Sequence, residues 1–230
     1  LIRTFLRGAG QTLITLGLIV MLFAAYEVWG KAFEVAAQQH DLNANLDKAW
    51  ADAPTVTTTT RPSPGASAKP NPADLPSLGK GVARLYIPRL NKRWVVVEGV
   101  RPSDIRLAPG HYPDTQLPGE KGNFAVAGHR MPSVFWDLDR IRDGDAIVVE
   151  TRTSWFVYTV SRIHIVAPTD SAVIAPVPDE AGVAATKAVV TLTTCNPKWD
   201  NYQRLVVHGE LTRSTPKVAG SPKEIAGMRS

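Results

Sequence analysis

A chain of 230 residues has room for one or two domains. Its net charge of +5 and pI of 9.4 are mildly basic, but the Lys and Arg residues are scattered rather than striped along one face. That argues against nucleic acid as a partner and suits a surface facing an anionic envelope. A single cysteine excludes an internal disulfide and any paired-Cys zinc motif, and the five histidines form no HExxH-type cluster, so no metal and no cofactor is expected.

Residues 13–26 are almost wholly apolar. Extended back over Gly8-Ala9-Gly10 and on to Trp29, the run reaches roughly 20 residues, enough to cross about 30 Å of hydrocarbon as a helix. Arg3 and Arg7 precede it, which places the N-terminus in the cytoplasm and the remainder outside. A cleaved signal peptide is the competing reading. Ala24-Ala25-Tyr26 makes a poor cleavage site, however, and the apolar run exceeds a usual signal core. Residues 27–50 stay helix-compatible and turn polar, with a partial stripe of Ala32, Val35, Ala36, Leu42 and Leu46. Residues 1–50 therefore read as an anchor with a polar stalk. Residues 51–80 are rich in Pro, Thr, Ser, Ala and Gly, too poor in apolar surface to fold, and read as a flexible linker.

The folded part is expected over 81–213, with 214–230 as a loose tail. Short β runs punctuated by Pro and Gly occupy 82–87, 93–98, 123–128, 146–150, 155–160, 162–166, 188–194 and 203–211. That spacing, with few helical stretches, predicts an all-β, closed or nearly closed barrel of about eight strands with short helices. One of those helices is expected at 102–107, capped by Ser103. About 130 residues suffice for such a domain without disulfides.

The strand over 188–194 runs directly into Cys195 and ends at Pro197. Period two puts Thr191, Thr193 and Cys195 on one face, Arg204, Val206 and His208 together on the next strand, and Ala125, Ala127 and His129 in line on an earlier one. A thiol with a free pKa of about 8.5 needs help to act as thiolate. A neighbouring imidazolium supplies that help and can protonate a leaving amine. A guanidinium can only donate, which suits it to a developing oxyanion. Cys195, His129 and Arg204 thus form a complete acyl-transfer set without a carboxylate, with Arg130 as a competitor for the arginine's part. Taken singly, each has a plain structural explanation, a small buried hydrophobe for the cysteine above all.

Thr191-Leu192-Thr193-Thr194-Cys195, with Arg204 on the following strand and Gly128-His129 upstream, resembles the TLxTC signature of the sortase family. The spacing from Cys195 to Arg204 and the stretch Gly110-His111-Tyr112-Pro113 are most similar to the class E, or housekeeping, sortases of actinobacteria. The resemblance implies a sortase barrel and a membrane-anchored cysteine transpeptidase. Its Cys195 would attack the Thr–Gly bond of an LAxTG- or LPxTG-like sorting signal in a secreted protein. His129 would serve as acid and base, and Arg204 would hold the oxyanion. The acceptor would be an amine of a peptidoglycan precursor or of a pilin. Tyr112, Thr193 and Thr194 are the implied substrate-binding residues, with Tyr112 as reader of the second signal position; no calcium site maps onto the chain. A cysteine hydrolase of the envelope and a non-catalytic, wall-binding β module are the alternatives.

Overall fold

The computed structural model describes residues 2–26, 31–52 and 77–228. The expected linker therefore lies almost entirely outside the described residues. Two helices come first, α1 (Ile2–Ala25) and α2 (Lys31–Asp52). Eight strands follow: β1 (Gly81–Ile87), β2 (Lys92–Glu98), β3 (Gly110–His111), β4 (Gly122–Ala127), β5 (Ala146–Glu150), β6 (Ser154–Val166), β7 (Ala188–Asn196) and β8 (Gln203–Pro216). They close into a barrel in the order β1-β2-β3-β4-β7-β8-β6-β5. Closure removes the long open edges that an eight-strand sheet would otherwise expose.

Alternation along the strands fills the interior. Phe124 and Val126 of β4, Val190 and Leu192 of β7, and Leu205 and Val207 of β8 meet Leu85, Ile87, Val96, Ile147, Val149 and Tyr158 from the other side. Fully burying one such aliphatic or aromatic side chain contributes roughly 1.5–3 kcal/mol. The segment after β4 covers one end of this core with Val134, Phe135, Leu138 and Ile141, and Trp94 meets Phe135 edge-on at 5.4 Å.

Several local expectations are corrected. The two runs at 155–160 and 162–166 are one strand, β6, whose register shifts between Val160 and Arg162; the irregularity at Ser161 looks like a break in sequence but leaves the pairing with β8 intact. Residues 102–107 form a turn rather than a helix. Asp104 and Ile105 donate their amides to the Arg101 carbonyl, and the Asp104 carboxylate pairs with Arg101, so Ser103 caps nothing. Residues 214–228 are ordered against the barrel. β8 continues to Pro216, Ile225 and Met228 pack on Tyr86, Val148, Trp155 and Val157, and Arg213 pairs with Glu224 at 2.7 Å.

α1 contains one stretch, Phe5–Ala25, long and apolar enough to cross a membrane, and none of its window is buried. α2, expected as a stalk, lies on the outside of the barrel. Its Leu42 and Leu46 are buried against Val95, Val97 and Ala108. The Gln39 carboxamide accepts the Val95 amide at 2.7 Å, and Arg84 reaches back to Asn43 at 2.7 Å and Asp47 at 2.6 Å. Leu42 and Leu46 are four apart and share one helix face, which explains why so thin a stripe is enough.

Candidate active site

Three neighbouring strands deliver the site. In β7, Val190 and Leu192 point into the core, so Thr191, Thr193 and Cys195 face outward. β4 runs parallel to β7 with Ala127 beside Thr193, and the Gly128 amide donates to the Thr193 carbonyl at 3.0 Å. His129 therefore leaves its strand at the level where Cys195 ends its own. β8 runs antiparallel on the other side, with Cys195 directly opposite Arg204. Cys195 and His129 line one open cleft of about 420 Å³, together with Arg130, Met131, Trp199, Asp200 and Asn201.

Cys195 is a free thiol and only partly buried, unlike an inert core cysteine. His129 is half-buried, and loss of solvent lowers its pKa below the ordinary histidine value. Arg204 does not line the cleft. Its Nη1 donates to the carbonyls of Asn201 (2.7 Å) and Gln203 (2.8 Å), which folds the guanidinium against the base of the β7–β8 connection.

Gly128 has a steric reason. A Cβ there would lie 2.5 Å from the Phe135 ring, so only glycine lets the chain pass over that ring on its way to His129. The Phe135 amide in turn donates to the His129 carbonyl at 3.1 Å. Thr194 completes the frame: its hydroxyl donates to the Gly128 carbonyl at 2.7 Å. At 2% exposed and on the core-facing side of β7, Thr194 holds β4 to β7 and presents nothing to a peptide; its expected place in the binding surface is corrected accordingly. Thr193 faces the other way, and its Oγ1 lies 3.2 Å from the hydroxyl of half-buried Tyr112. His111, in the same stretch as Tyr112, is fully buried, with Nδ1 2.8 Å from the Glu98 carboxylate, and belongs to the framework.

The family model described as "Sortase domain" matches residues 85–212. The chain belongs to the sortase family. Sortases are cysteine transpeptidases, and the match spans the barrel and all three strands that carry the site. Sortase SrtE2 of Streptomyces coelicolor is 33% identical over 94% of this chain and 86% of its own length. Sortase SrtE1 of the same organism is 32% identical over 94% of this chain, and the chain spans 60% of that relative's length. The crystal structure of Streptomyces coelicolor sortase E1 with a tripeptide in the active site superposes with a TM-score of 0.59 at 32% identity, covering 64% of this chain and 98% of that one. These relatives agree with the class E resemblance carried by the Thr191-to-Arg204 motif.

In this sortase the residue that sequence reasoning under-read is Arg130. Its side chain is 4% exposed, and Nη1 donates to the Cys195 carbonyl (3.2 Å) and to Asn196 Oδ1 (3.1 Å) while Nη2 pairs with Asp139 (3.2 Å). Arg130 thus pins the backbone that carries the thiol, and it borders the same cleft as Cys195. Adjacency to His129 was the only signal, and it suggested rivalry with Arg204 instead of a structural part. Trp199 was also missed. It stands 89% exposed at the rim of the cleft, its ring 4.8 Å from that of Trp136, with the Lys198 ammonium 5.0 Å from the Trp136 ring.

Proposed function

We propose that this sortase is anchored by α1, with its N-terminus in the cytoplasm and its barrel outside, and that Cys195, His129 and Arg204 carry out peptide-to-amine transfer. The observation that carries the proposal is the meeting of three strand ends: Cys195 and His129 in one open cleft, with Arg204 in register across from the thiol. The Cys195 thiolate attacks the Thr carbonyl of an LAxTG- or LPxTG-like signal. Arg204 turns from its loop carbonyls to stabilise the oxyanion. As the C–N bond breaks, His129 gives its proton to the departing glycine amine, leaving a thioacyl enzyme. The amine of a peptidoglycan precursor, or of a pilin, then gives up a proton to His129, attacks the thioester and restores the thiolate. Tyr112 is the reader of the second signal position in this reading, supported by its hydroxyl contact with Thr193 on the same strand face as Cys195. The tripeptide bound in the active site of sortase E1 supports a peptide occupant for this groove.

The test is to incubate the full chain in detergent with an LAxTG peptide and an added amine, and to follow products and enzyme by mass spectrometry. The expected result is a thioacyl adduct on Cys195 that the amine resolves into a transfer product. Hydrolysed peptide alone, even at high amine concentration, would identify a hydrolase. No adduct and no cleavage, with Cys195→Ala indistinguishable from wild type, would identify a binding module.

A further inference from the structure

A second constellation lies away from the cysteine, on the outer wall of the barrel. His164 of β6, His208 of β8 and Asp179 from the connection between β6 and β7 bring their ligand-type atoms within 4.8 Å of one another. Asp179 Oδ1 is 3.7 Å from His164 Nε2, and Oδ2 is 3.7 Å from His208 Nε2. The two imidazole rings stand 5.1 Å apart. Both ring nitrogens of His164, and Nε2 of His208, are buried without a hydrogen-bond partner. Buried polar atoms without partners are rare and call for an explanation.

We propose that His164, Asp179 and His208 bind a divalent transition-metal ion of the zinc type, and that the ion fastens the β6–β7 connection to the outer wall of the barrel. Ligands at about 2.0–2.1 Å around a tetrahedral ion are separated by roughly 3.4 Å; Asp179 Oδ1 already stands 3.7 Å from His164 Nε2, and all three ligand atoms lie within 4.8 Å of one another, so closing on an ion asks for a side-chain shift on the order of 1 Å. Two imidazoles and one carboxylate form a mixed N/O set that suits zinc and its neighbours. Calcium, which takes six to eight oxygens, is excluded by the same count. Outer partners are in place as well. With Nδ1–H of His208 donating to Thr191 Oγ1 at 2.8 Å, Nε2 keeps its lone pair for the ion, and Arg162 holds Asp179 Oδ2 at 2.6 Å while Oδ1 stays available. A cavity of about 330 Å³ bordered by His208 and Asp179 leaves room for a water as fourth ligand.

The consequence follows from where the ligands sit. His164 and His208 belong to paired strands, whereas Asp179 belongs to the connection whose Val173 and Ala175 carbonyls accept from Asn123 of β4. Thr191, the partner of His208, shares its strand face with Thr193 and Cys195. An ion here would order the connection between β6 and β7 without touching the reacting atoms, because none of its ligands lines the cleft that holds Cys195.

The experiment uses the untagged full chain in detergent, stripped with a chelator, and zinc chloride as the probe in titration calorimetry, with Co²⁺ absorption reporting the ligand field. The expected result is one ion per chain, retained in Cys195→Ala and weakened at least about 100-fold, the upper end of outer-ligand losses, in His164→Gln and Asp179→Asn. Zinc at 100 times its Kd should shift the unfolding equilibrium of wild type about 100-fold, and hydrogen exchange over 171–186 should slow. His164 is only partly buried, so its variant keeps the fold, and a circular dichroism spectrum verifies this. Absence of 1:1 binding in wild type, equal binding in His164→Gln and Asp179→Asn, or loss of binding in Cys195→Ala would each overturn the proposal. None of these readouts depends on transpeptidation.

Discussion

Replacing Arg130 and Arg204 separately should split stability from rate. Arg130→Met removes an almost fully buried guanidinium together with its ion pair to Asp139 and its two hydrogen bonds at the end of β7. Breaking a fully buried pair costs about 3–5 kcal/mol. Asp139 is 43% exposed and regains water, so the loss is set mainly by the carbonyl of Cys195 and the amide oxygen of Asn196, each about 1.5 kcal/mol when a charged donor is lost. The sum is about 3 kcal/mol, a fall of roughly 6–12 °C in unfolding temperature for a chain of this size. Arg204→Ala gives up only two bonds to loop carbonyls and should cost under about 1 kcal/mol of stability. Its rate of peptide cleavage should nevertheless fall about 10²–10³-fold, the usual loss for an oxyanion donor, with Arg204→Lys rescuing only part because a point charge lacks the planar fork. Calorimetry and a fluorogenic LAxTG peptide, assayed well below the lower midpoint, measure both quantities. A well-folded but inactive Arg130→Met beside an Arg204→Ala of near wild-type rate would refute the assignment.

Gly128→Ala should lower kcat about 100-fold, because the Cβ–Phe135 clash displaces His129 on the order of 1 Å; an unchanged kcat would show that the close approach has no bearing on the reaction. The pH dependence follows from the burial of His129, which favours its neutral form and holds its pKa below the ordinary value of about 6.5. The singly protonated thiol–imidazole pair is then present above that pKa and is lost as pH falls through it, so kcat/KM for the peptide should have its acid limb below pH 6.5; a limb above it would contradict the burial argument.

The barrel was legible in the sequence, and the three residues proposed to react could be singled out there, because each rests on a local signal. β-branched runs mark the strands, period-two parity sorts their faces, and Cys195, His129 and Arg204 all fall at strand ends. What stayed hidden was non-local. The two-residue β3 is too short to carry a pattern, and the bulge at Ser161 imitates a turn. Ile225 and Met228 are isolated apolar residues whose purpose appears only once Trp155 is seen on the surface they cover. Thr194 sits inside the motif that marks the site, yet faces the core. Arg130 looks like a spare cation until the Cys195 carbonyl arrives from 65 positions away. His164, Asp179 and His208 obey no short spacing rule, which is why a reading of motif spacings finds no metal ligands among them.

The docking of α2 changes the mechanics of the whole chain. A Pro/Thr/Ser-rich segment between helix and barrel suggests long reach, and the stretch from Asp52 to Ser77 could extend to roughly 85 Å. With Leu42 and Leu46 buried on β2, however, α2 is already docked on the barrel, so in a chain anchored by α1 as proposed the peptide steps from Tyr26 to Lys31, at most roughly 17 Å, limit how far the docked helix can stand from the membrane. Burying the two leucines contributes about 1.5–3 kcal/mol each, reinforced by the Arg84–Asp47 contact at 2.6 Å. Leu46→Asp would place a carboxylate against Val95 and Val97 and should release the helix. The lone cysteine allows a clean measurement: a dye on Cys195 in vesicle-reconstituted protein, with an acceptor lipid, should show efficient energy transfer in wild type and a clear loss in Leu46→Asp. Equal transfer in the two proteins, with the barrel still folded, would mean that α2 does not set the height of the active site. A lower transfer would make the docked helix the element that sets the height of the cleft above the membrane.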